Sequence, residues 1–171
     1  TNILDFILVG LFAAFGFLSK YLFAYLLLSV LLLFLYLILF KKNKKFNFNY
    51  LISLEVFIVL LVPHLIWLNE NNFITILYGL KRTGLEDTNI LNHIKFPLFF
   101  LLKQLALLIP FLVLTKLLIK RLSFNVNLED KKTLFLVFIN IVPISLILLT
   151  SIILGSKIRT MWMTPFYLFF G

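Results

Sequence analysis

Six basic residues carry the first chemical signal in this chain: Lys20, Lys81, Arg82, Lys95, Lys157 and Arg159. They fall at the outer ends of the expected helices. Cations gathered at headgroup depth can hold a phosphate or diphosphate, because Arg presents a bidentate fork and Lys a point charge. The same side chains can instead snorkel and anchor helix ends in anionic lipid; spacing alone leaves both readings open. Lys20 is the sharpest of the six, since it lies between two apolar runs with almost no loop around it, where an ionisable residue is a functional candidate by default. The competing assignment is a simple turn residue at the interface.

His64 follows Pro63 near the end of an apolar run. It can hydrogen-bond a substrate hydroxyl or move a proton. The preferred assignment is plainer, a bond to a backbone carbonyl that the proline has freed. His93 has no partner at ligand spacing, so no metal site is expected. Glu86 and Asp87 can serve as a general base or bind a divalent cation, but a solvated turn and helix cap is the preferred reading. Glu55 and Lys103 lie within apolar runs, where such residues pair across helices. The chain has no cysteine, which excludes disulfides and thiolate metal sites. No glycine-rich phosphate loop, zinc-protease pattern or serine triad can be picked out by spacing.

The elements that position these residues are membrane helices. The 171 residues are 62% hydrophobic and only 13% charged, against about a quarter charged in soluble domains. Apolar runs of roughly 20 residues recur, the length that crosses a bilayer core as helix, and they lack the alternation of barrel strands. The expected fold is all-α, a polytopic helical membrane bundle of about six spans in a single domain. The spans are expected at about 3–19, 21–40, 51–68, 97–118 and 133–154, with a sixth, 163–171, cut off. The chain opens on Thr1 and closes inside an apolar run, which reads as a fragment of a longer protein. Gly10, Ala13, Ala14 and Gly16 give the first span a small-residue face suited to close helix packing.

The net charge of +9 would point to nucleic acid in a soluble protein. Here the basic residues sit in short loops and meet anionic headgroups instead, so membrane lipids are the expected partners and nucleic acid is not. Lys41, Lys42, Lys44 and Lys45, with Lys116, Lys120, Arg121, Lys131 and Lys132, place their loops in the cytoplasm. The loop 69–96 then lies outside, on the same face as the six cations at the run ends. Within it Phe73, Ile76, Leu77 and Leu80 recur at i, i+3, i+4 and i+7, an amphipathic helix too short to span and suited to the interface plane. Asn71 or Asn72 is its expected cap, Gly84 its stop, and Lys81 and Arg82 sit at its C-terminal end, where the helix dipole favours cations.

GFLSKY at 16–21 resembles the small-x-Leu-Ser/Thr-Lys motif of the polytopic GT-C glycosyltransferases, of the dolichyl-phosphate-mannose protein mannosyltransferase and bacterial lipid A aminoarabinose transferase type. The order of the later segments is also similar: a basic loop, a Pro-aromatic segment (PHLIW, 63–67), an outer amphipathic helix ending in Lys81 and Arg82, Phe96-Pro97, and SKIRTMWMTP at 156–165. The resemblance implies transfer of a sugar from a polyprenyl-phosphate carrier to a lipid, glycan or protein acceptor. The lipid-linked sugar is then the donor substrate, and no cofactor is implied. It assigns Lys20 and Arg82 to the carrier phosphate, and Lys157 or Arg159 to donor or acceptor. It implies an extracytoplasmic active face on a bacterial inner membrane. The family's catalytic carboxylate lies upstream of anything present here, so no catalytic base is expected in this fragment, which alone should be inactive. The rival reading is a transporter or flippase for an anionic lipid or solute, with Glu55, Lys103, Gln104 and Asn140 lining its path.

Overall fold

The computed structural model describes residues 2–40, 47–84, 89–118, 129–160 and 163. The basic cluster 41–45, Lys120, Arg121, Glu86, Asp87 and, beyond Met163, the span expected at 163–171 lie outside the described residues. The described chain is all helix, with no strand: α1 (Ile3–Ser19), α2 (Phe23–Leu39), α3 (Asn49–Glu70), α4 (Ile74–Arg82), α5 (Asn92–Leu118) and α6 (Lys131–Leu154). Helices α3, α5 and α6 are long and apolar enough to cross a membrane, and α1 and α2 are shorter apolar helices. Among the described residues the large apolar side chains stand mostly uncovered. In water such a surface would be untenable; in lipid it is the normal exterior.

The chain divides into two compact units, Thr1–Gly79 and Leu80–Gly171, with the boundary inside α4. In the first, α1 packs chiefly on α3. The small-residue face makes this possible. Ala14 is fully buried, and Gly10 lies so close to α3 that an added Cβ would meet the Ser53 carbonyl and come within 2.9 Å of Val56 Cβ. Ser53 Oγ crosses the same contact to donate to Phe6 O at 2.7 Å. Above and below it, Phe17 meets Phe57 edge-on at 6.1 Å and Phe6 meets Tyr50 at 5.3 Å. Gly16 has a different duty: it leaves room for the Phe23 ring of α2, which lets the α1–α2 turn close tightly.

In the second unit α5 packs on α6. The apolar run alone sets the expected span at about 97–118. The helix in fact starts at Asn92. Asn89 builds the entry turn, its carbonyl accepting from Asn92 N at 2.9 Å and its side chain from Leu91 N at 3.0 Å. The five extra residues put His93 and Lys95 on the same helix as Lys103. Pro63 likewise sits inside α3, which runs on to Glu70; membrane helices tolerate interior prolines.

Helix α6 begins at Asp130, whose carboxylate accepts from Thr133 N at 3.1 Å and from its hydroxyl at 3.0 Å. The Thr133 backbone bond, with the hydroxyl bond behind it, holds the Asp130 carboxyl below its ordinary value. A lowered folded-state value makes the cap's contribution complete above the unfolded carboxylate range near pH ~4 and lost as pH falls through the folded value. The Thr133 amide resonance should therefore titrate with Asp130 below about pH 4, and Asp130→Ala should abolish that titration and fray the first turn of α6.

Candidate functional site

In the first unit the site is built around the turn at Lys20. Lys20 ends α1 in an extended conformation (φ −159°, ψ 114°), its N–H donating to Gly16 O at 3.2 Å. The neighbouring Tyr21 is held on both sides. Its hydroxyl lies 2.8 Å from His64 Nε2 and 2.9 Å from Thr75 Oγ1, so one oxygen links the α1–α2 turn to the late turns of α3 and the start of α4. A phenol can donate to one partner and accept from the other. The His64 ring in turn stacks on Trp67, centroids 5.9 Å apart and planes 15° from parallel. Lys20 and His64 are both half-buried.

His64 thus bonds Tyr21 rather than the backbone carbonyl preferred from the sequence. The carbonyl bond belongs to His93: its Nδ1 lies 2.6 Å from Ile152 O, near the C-terminal end of α6. Gly155 follows in the left-handed region (φ 60°), where an added Cβ would come within 2.9 Å of His93 Nε2.

The sharing of one hydroxyl gives a stability prediction. Tyr21→Phe is expected to cost about 0.5–1.5 kcal/mol, the usual net worth of a hydrogen bond. The double variant with Thr75→Val should cost less than the sum of the singles, because both remove the same bond. Unfolding curves of the four proteins in one detergent measure this.

Helix α4 enters through Asn72 and Phe73, both with positive φ (50° and 55°), and Asn71 caps α3 instead, its Nδ2 donating to Trp67 O at 2.8 Å. The expected apolar face is present and uncovered: Phe73, Ile76, Leu77 and Leu80 are all exposed. Lys81 and Arg82 close the last turn, exposed, and Gly84 follows at φ 68°. In the second unit Thr83 O accepts from Lys157 N at 2.7 Å, which ties the segment after α6 to the end of α4. Ser151 Oγ, donating to Ser156 O at 2.7 Å, fixes the turn that leads there.

A cavity of ≈ 290 Å³ opens beside this junction, lined by Lys95, Phe96, Phe99, Phe100, Lys103, Lys157 and Ile158. Sequence reasoning placed Lys95 and Lys157 at helix ends but paired Lys103 with Glu55. Glu55 is exposed on α3 in the first unit, and Lys103 lines this cavity in the second. The signal was present as Lys95, Phe99 and Lys103 at i, i+4 and i+8, hidden by starting the helix at Pro97. Arg159 is half-buried two residues past Lys157. Among the described residues no group of His, Asp and Glu is placed to hold a metal ion.

An apolar helical frame with cations and aromatic rings at its helix ends defines an integral membrane protein. Residues 1–67 match the family model described as dolichyl-phosphate-mannose-protein mannosyltransferase. The match supports a membrane glycosyltransferase of the GT-C superfamily without selecting a subtype. The matched residues contain Lys20, Tyr21 and the 63–67 segment, whereas Arg82, Lys157 and Arg159 lie beyond them. No curated protein and no solved structure matches the chain.

Proposed function

We infer that the protein transfers a sugar from a polyprenyl-phosphate carrier to a lipid, glycan or protein acceptor at the extracytoplasmic face of a bacterial inner membrane. The observation that carries the reading is the family-model match over 1–67, which includes the half-buried Lys20 at a turn fixed by Gly16 and Tyr21. Lys20 and Arg82 are assigned to the carrier phosphate. Lys81 supports them, and Lys157 or Arg159 serves donor or acceptor. His64 acts through Tyr21, positioning the Lys20 turn. The carrier phosphate leaves with the bonding electrons as the acceptor oxygen attacks the sugar carbon, and fixed cations stabilise that charge as it develops. The acceptor's proton passes to a general base, a role assigned to none of the residues named here.

The test is transfer of labelled sugar from a polyprenyl-phosphate donor by the intact protein, with Lys20→Ala and Arg82→Ala alongside. Product whose formation depends on both residues supports the reading. Parent rates in both variants overturn the phosphate role. Movement of intact donor across vesicles without cleavage would favour the transport reading.

A further inference from the structure

Because α5 begins at Asn92, Lys95, Phe99 and Lys103 fall on one helix face, with Phe96 and Phe100 beside them. Eight residues of helix set Lys103 about 12 Å further along than Lys95. Side chains lean toward the N-terminus of their helix. The Lys103 ammonium therefore reaches back toward Lys95, as an intramembrane lysine does when it snorkels. Lys157 completes the set, its backbone held by Thr83 O. Among the described residues no carboxylate lines the cavity. Three ammonium groups around one space repel one another, and a charged side chain inside a span is costly without a counter-charge. An anion at the centre offsets both. The volume is at the lower edge of the roughly 300–1,000 Å³ of small-ligand clefts, enough for a headgroup and not for a whole lipid. Phe99, 53% exposed at the rim, offers an apolar wall along which a chain can leave.

We propose that this cavity binds the phosphate of a lipid, with Lys95, Lys103 and Lys157 on the phosphate oxygens and the chain running out past Phe99. The site shares Lys157 with the transferase reading, but its test needs no turnover, so the two fail separately. The phosphate can come from a bilayer phospholipid or from the polyprenyl carrier, and the arms of the experiment separate these.

Native mass spectrometry of the intact protein reads retained lipid, with phosphatidylglycerol, a polyprenyl phosphate and diacylglycerol as probes. The polyprenyl arm is run in the Lys20→Ala/Arg82→Ala background, so that the carrier contacts assigned to those two residues do not mask this site. At least one phosphate-bearing probe should be retained over diacylglycerol. Lys103→Ala and Lys157→Ala should each lower that retention by about tenfold, the effect of losing a charge-assisted contact, while Lys103→Arg keeps most of it. The probe retained names the source. Equal retention of diacylglycerol, or unchanged retention in both alanine variants, overturns the proposal. Should Lys103→Ala unfold, Lys157→Ala at the exposed rim decides it alone.

Discussion

Lys20→Ala is expected, on the proposed transferase reading, to lower sugar transfer by the intact protein roughly 10²–10³-fold, the usual loss when one fixed group stabilising transition-state charge is removed. The size follows from how the residue is held. Its backbone is extended at the end of α1 and bonded to Gly16 O. The next residue is fixed by two hydrogen bonds through one hydroxyl, and the half-buried setting strengthens electrostatics relative to open water. A cation so placed costs little reorganisation when the phosphate begins to leave. In the proposed transfer, charge on the carrier phosphate grows toward the transition state, so kcat should fall more than KM rises. Lys20→Arg should recover only part of the rate, because a planar fork does not reproduce a point charge at the same place. The measurement is initial rate against donor concentration for the three proteins. A Lys20→Ala enzyme with unchanged kcat/KM would remove the residue from the reaction.

Much of the helical frame was legible because lipid imposes a simple rule: runs of about 20 apolar residues become helices. The bounds of α1 follow from Lys20 directly, and the small-residue face from Gly10, Ala14 and Gly16. The amphipathic α4 was legible from period alone. What was not legible depended on partners distant in sequence. Tyr21 and His64 are 43 residues apart, and nothing local marks a tyrosine in an aromatic-rich run as the partner of a histidine. The Pro97 boundary misled in a definite way. It marks where the apolar run begins, and the helix starts before that run, at the Asn89 turn. With the helix begun five residues later, Lys95 belonged to a loop and Lys103 to a lone pair with Glu55, so the cationic face of α5 was split between two elements and went unseen.

Gly10→Leu is expected to break the first unit apart, and Gly10→Ala to destabilise it by about 1–3 kcal/mol, the range for overpacking a close contact. The atom in the way decides the sign. A Cβ at Gly10 would run into the Ser53 carbonyl, which is backbone and cannot rotate aside, and the next atom is Val56 Cβ at 2.9 Å. The helices must separate. Separation also lengthens the bond from Ser53 Oγ to Phe6 O, an interhelical hydrogen bond of the kind worth roughly 0.6 kcal/mol in membranes. Working against this, alanine gains up to ~1 kcal/mol of helix propensity over glycine, so the observed loss is a net figure. Gly79→Ala isolates that gain, since a Cβ there meets nothing within 4 Å: it should leave stability unchanged or raise it slightly. Unfolding of both variants in the same detergent gives the comparison. If Gly10→Ala matched Gly79→Ala, the close α1–α3 approach would not be what holds the first unit together. Because Lys20 and Tyr21 hang from the end of α1, Gly10→Ala should also lower transfer activity, and Gly79→Ala should not lower it by this route.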